Sequence, residues 1–125
     1  MGKFLNSFAG MALCCGLALL VSSCSSSQAV NFKIHTDPEG SHVVYKISQN
    51  DGTKATEWIY LGVTPYKGVT LFNGDALEDE STISVKVMQN GYLDQVKEWN
   101  GAQFLEEYEN EGLIFWTPHL VRSTQ

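Results

Sequence analysis

A chain of 125 residues, 43% of them apolar, has room for one domain and the composition of a globular one, which excludes wholesale disorder. Its 14 acidic residues against 8 basic ones give a net charge of −6, and no Lys/Arg-rich run occurs, so a nucleic-acid surface is excluded. All three cysteines, Cys14, Cys15 and Cys24, lie in the first 24 residues, so the rest must fold without a disulfide.

Residues 1–23 read as a signal peptide. Lys3 supplies the charged start, and Phe8 to Val21, FAGMALCCGLALLV, is almost wholly apolar or small. As a helix that run would span about 21 Å, against about 30 Å of bilayer hydrocarbon, so an exported leader fits better than a spanning helix. Its end, Val21-Ser22-Ser23-Cys24, resembles the lipobox of bacterial lipoproteins. The resemblance implies cleavage between Ser23 and Cys24, diacylation of the Cys24 sulfur and acylation of the new amino terminus. The alternative is ordinary cleavage that leaves Cys24 a free thiol. One acyl chain, at about 0.8 kcal/mol per buried methylene, holds a protein only marginally, whereas two or three anchor it. Residues 24–29, rich in serine, read as a flexible tether. By the same resemblance, serine rather than aspartate after the cysteine implies the outer membrane.

From Val30 onward, alternation with period two dominates. Asn31 to His35, Val43 to Ile47 and Ile83 to Val87 alternate polar and apolar side chains, with Val44 breaking the second run. Asp37-Pro38-Glu39-Gly40 suits a type I turn, in which the Asp37 carboxylate accepts from the backbone two residues on. Asn50-Asp51-Gly52 and Asn90-Gly91 are hairpin signals. Short strands joined by such turns predict an all-β fold, a small antiparallel β-sandwich, over residues 30–99.

These residues carry a second resemblance. Thr36-Asp37-Pro38-Glu39-Gly40-Ser41 resembles the opening motif of PEGA domains, with Ser41 where alanine is usual. Gly62-Val63-Thr64-Pro65 is similar to the family's internal turn, and the strand from Ile83 closing on Gly91-Tyr92 to its last motif. Together the three cover about Ile34 to Trp99. The resemblance implies a non-catalytic envelope module that binds carbohydrate or protein. Gln49–Thr56 and Asp75–Ser81 are insertions against that pattern.

Residues 100–125 lie outside the resemblance. Asn100 with Gln103 forms a capping box and Gly112 a stop. Between them Phe104, Leu105 and Tyr108 share one helical side, with Glu106, Glu107 and Glu109 facing water. Leu113 to Trp116 predicts one more strand, ended by Pro118. This helix and strand are expected to lie over one face of the sandwich.

Glu57-Trp58-Ile59-Tyr60-Leu61 is apolar on both sides if extended, with Trp58 and Tyr60 on one of them. Exposed, these two could stack on sugar rings, joined by Tyr66; otherwise they pack under Phe104, Tyr108 or Trp116. Asp75, Glu78, Asp79 and Glu80 read as a solvated loop, since the EF-hand spacing is absent. His35 and His42 flank the first turn and would face each other, but no third ligand accompanies them, so no metal and no cofactor is expected. His119 is expected in solvent. With neither a Gly-x-Ser-x-Gly elbow nor a phosphate loop, the chain does not read as an enzyme.

The expectation is a membrane-anchored, non-enzymatic lipoprotein that binds cell-envelope polysaccharide or peptidoglycan. The alternative is an accessory lipoprotein that docks another envelope protein.

Overall fold

A computed structural model describes residues 27–49, 55–78 and 80–124. The signal segment, Ser23, Cys24, the Asn50-Asp51-Gly52 turn and Asp79 lie outside the described residues.

The chain forms the expected small β-sandwich. Its elements are β1 (Ser27–Ile34), β2 (His42–Gln49), β3 (Ile59–Val63), β4 (Tyr66–Asn73), a 3₁₀ turn (Gly74–Leu77), β5 (Ser81–Met88), β6 (Gln95–Asn100), α1 (Gly101–Glu111) and β7 (Ile114–Trp116). One sheet has the order β4-β1-β7 and the other β3-β2-β5-β6. Every pairing is antiparallel except β1 with β7, which run parallel. The Thr64-Pro65 corner carries the chain from β3 to β4, and so from one sheet to the other. Among the described residues no helix is long and apolar enough to cross a membrane.

Alternation explains the layers. Val30, Phe32 and Ile34 point inward from β1, while Ala29, Asn31 and Lys33 are exposed. Facing them are Val43 and Tyr45 from β2, Ile83, Val85 and Val87 from β5, and Trp99 from β6. Phe32, Phe72 and Phe104 are fully buried, each contributing on the order of 1.5–3 kcal/mol of transfer free energy. Their rings meet at 5.4–6.1 Å, with Phe104 edge-on to Trp99 at 5.6 Å.

Contrary to the expectation from the sequence, the tail does not lie over one face of the sandwich. It enters the sandwich. β7 extends the smaller sheet beside β1, and α1 sends Phe104 between the layers. The capping box forms as read, Asn100 with Gln103, and Gly112 ends the helix at φ +76°. Glu107 does not face water: its Oε2 accepts from the Trp99 indole at 2.7 Å. Beyond β7 the chain stitches two turns together. Leu120 N–H donates to Asp37 O (2.9 Å), Leu93 N–H to Val121 O (2.8 Å) and Ser123 N–H to Gly91 O (3.0 Å). β1 itself begins at Ser27, three residues before the predicted start at Val30.

Candidate functional site

The residues of the family-like motifs converge at one end of the sandwich. They form a buried hydroxyl cluster. Thr64 Oγ1 accepts from Gly40 N–H (3.0 Å) and Ser41 N–H (2.9 Å) and shares a 2.6 Å bond with Thr36 Oγ1. Thr36 Oγ1 donates to Pro38 O (2.8 Å), so the shared proton belongs to Thr64. Ser41 Oγ lies 3.0 Å from Thr36 Oγ1 and 2.8 Å from Gln89 Oε1, tying in the end of β5. All three hydroxyl residues are at most 3% exposed. Such a set is satisfied internally and offers nothing to a ligand.

The turn over this cluster differs from the expected type I form. Gly40 N–H donates to Thr64 O (3.1 Å) as well as to its hydroxyl, and Asp37 O turns to Leu120. Gly40 adopts φ +107°, open to glycine alone at no cost. The local acceptor is Glu39, not Asp37. Glu39 Oε2 accepts from Thr36 N–H (3.2 Å), and Oε1 pairs with His35 Nδ1 at 2.9 Å. The His35 bond, foremost, holds the Glu39 carboxyl below the ordinary glutamate value, against a smaller opposing contribution from desolvation. Asp37 instead meets His119 at 3.1 Å in the open. Gly62, Pro65, Gly91 and Tyr92 serve the same frame, with Tyr92 packed on the core and Gly91 at φ +86°.

His35 and His42 do not face each other. His35 is taken by Glu39, while His42 Nδ1 lies 3.0 Å from the Tyr60 hydroxyl. Among the described residues no group of three or more His, Cys, Asp and Glu side chains converges as a metal site. In the acidic loop Leu77 packs on the core, and Glu78 and Glu80 are exposed.

Trp58 and Tyr60 do come to one face, by a route the sequence conceals. β3 starts only at Ile59, and the β2–β3 ladder slips between Val43 and Val44. That bulge sets Tyr60 opposite Val44, and Val44 stands opposite Lys86, itself opposite Val96. One row therefore runs across the outer surface of the four-stranded sheet. Trp58, half-buried, lies on the same surface, with the ammonium groups of Lys46 and Lys86 at 4.7 and 4.2 Å from its ring centroid. Each such contact is worth about 0.5–1 kcal/mol at an exposed site. Beneath this group Val44 is only 7% exposed although it points away from the core. Tyr60 is 56% exposed, with the His42 ring tilted against it at 5.8 Å.

Tyr66 is not with them. It turns inward, filling the space that Gly62 and Gly68 leave by having no side chain. Burial raises the Tyr45 phenol above its ordinary value, and the Tyr66 phenol beside it adds to the effect. Nor does the tail cover Trp58 or Tyr60. Lys46, Lys86 and His42, which complete the face, were legible only as polar positions of alternating strands.

No family model, curated protein or solved structure matches this chain.

Proposed function

We propose that the chain is a membrane-anchored, non-enzymatic envelope lipoprotein of PEGA-like build. Residues 1–23 act as its leader and Cys24 as its lipid attachment, most simply at the outer membrane. Its head binds cell-envelope polysaccharide or peptidoglycan through the outer surface of the β3-β2-β5-β6 sheet. The observation that carries the reading is an exposed Tyr60 beside a lysine-flanked Trp58 on a face that, among the described residues, no other element covers. A phenol ring stacks on the apolar face of a sugar, and ammonium groups meet the carboxylates of acidic sugars and peptide stems. The motif residues support a scaffold role, since their polar atoms are spent on one another.

Tyr60 is the clean probe, because Trp58 is half-buried and its ring also holds the ammonium groups of Lys46 and Lys86. In sedimentation with purified peptidoglycan or envelope polysaccharide, Tyr60→Ala weakens retention about tenfold, equivalent to about 1.4 kcal/mol, while the melting temperature holds. Unchanged retention would refute the assignment of this face. Val63 and Val96, 45% and 49% exposed on the same face, favour the second reading, a protein partner. That reading predicts co-purification of one defined envelope protein and no retention on glycan.

A further inference from the structure

The opposite surface of the sandwich has its own chemistry. On the outer side of β4-β1-β7, cross-strand pairs set Ala29 beside Leu71, Asn31 beside Val69 and Lys33 beside Lys67. Leu71 and Val69 are 72% and 61% exposed, and Phe115 follows at 47%, paired with Lys33. No outward strand position of this sheet is a carboxylate, although the chain as a whole carries −6. The Lys33–Lys67 pair is unusual in itself. Like charges directly opposite each other destabilise a sheet, an effect that a bound anion would relieve, and the Lys33 ammonium leans to within 5.8 Å of the Phe115 ring centroid. Both lysines line a groove of about 650 Å³ that runs on to Val69 and Leu113.

We infer that this face is a docking surface for an anionic phospholipid bilayer, with Leu71, Val69 and Phe115 entering the headgroup–acyl boundary and Lys33 and Lys67 gripping lipid phosphate. The inference rests on the lipid-anchor reading, and the position of the anchor selects the occupant. β1 begins at Ser27, three residues after Cys24, so the residue that would carry the acyl chains can lie no farther than about 11 Å from the strand's start. Ser27 pairs with Asn73 and Ala29 with Leu71, which puts the most exposed apolar residue at that same end. A single face of mixed apolar and basic character, held that close to a membrane, settles onto it to the depth of an interfacial helix. The Tyr60–Trp58 face then points away from the bilayer.

The test uses the full chain, expressed with its leader and reconstituted into vesicles of phosphatidylethanolamine and phosphatidylglycerol. Nitroxide labels are placed through Leu71→Cys or Tyr60→Cys, and intact mass reports the state of Cys24. The expected result is a position 71 label that is several-fold less accessible to a water-soluble nickel relaxant than the position 60 label. In Lys33→Glu/Lys67→Glu that difference shrinks. An acylated product in which 71 is as accessible as 60, or in which 60 is the shielded site, overturns the inference and leaves the anchor standing. A mass without acyl addition defeats the anchor reading, and the inference falls with it.

Discussion

Replacing Thr64 by valine tests whether the hydroxyl cluster holds the fold. Valine keeps the shape and creates no cavity, so the loss isolates hydrogen bonding. The Ser41 N–H, in a residue with no exposed surface, loses its acceptor at 2.9 Å. A buried unsatisfied donor costs about 1–3 kcal/mol. Gly40 N–H keeps Thr64 O at 3.1 Å, and Thr36 keeps Pro38 O, so their losses are smaller, about 0.5–1 kcal/mol in all. The sum is about 1.5–4 kcal/mol, a large share of the roughly 5–15 kcal/mol that holds a domain of this size. Urea denaturation followed by circular dichroism reads it as a lower midpoint at unchanged slope. Thr64→Ser retains the hydroxyl and loses one methyl group, so it costs about 1 kcal/mol or less. If valine were as stable as threonine, or serine as damaging as valine, the cluster would not be the clasp argued for.

Gly101→Ala tests the seat of α1. A methyl group there meets the Glu78 carbonyl and the Leu77 backbone, which no rotamer change relieves. Alanine's better helix propensity is worth at most about 1 kcal/mol, against about 1–3 kcal/mol for forced overpacking, so the melting temperature falls; a rise would show that the 3₁₀ turn yields freely. Glu39 predicts a pH dependence. Its folded carboxyl titrates below the ordinary value, so its contribution is complete above that ordinary value and is lost as pH falls through the lowered one. Carbon NMR of the Glu39 carboxyl in the wild type and in His35→Ala checks this. The His35 variant should titrate nearer the ordinary value, and an unmoved midpoint would remove His35 as the cause.

The strands were legible because one face of each is buried, which forces period two on β1, β2 and β5. The helix ends were legible because Asn100, Gln103 and Gly112 act within one turn of their own position. What escaped was choice of partner. Nothing local in Ile114–Trp116 says that it pairs with β1, some eighty residues earlier, and runs parallel to it. The Thr36–Thr64 bond likewise joins residues 28 apart, and either threonine alone looks like an ordinary turn residue. Tyr66 was misplaced for a related reason. Its inward turn depends on two glycines, Gly62 and Gly68, whose missing side chains matter only once β3 and β4 lie side by side. Trp58 and Tyr60 reached one face as expected, but with Trp58 outside the strand and beside a bulge.

Net charge concealed the more telling electrostatics. Of the acidic residues the structure describes, one, Glu98, stands on a strand; the others occupy turns, the loop before β5 and α1. The strands instead carry Lys33, Lys46, Lys67, Lys86 and Lys97. Only Lys97 points toward the core side, where its ammonium lies 4.9 Å from the Trp99 ring. The remaining four divide evenly between the two outer faces, each pair set among exposed apolar side chains. An acidic rim keeps such a head soluble and apart from its neighbours. Glu98 stands in one row with Lys46 on the outer face of the four-stranded sheet, while the outward strand positions of the smaller sheet hold Lys33 and Lys67 without a carboxylate, so the proposed glycan and bilayer contacts would fall on opposite faces that both carry lysines.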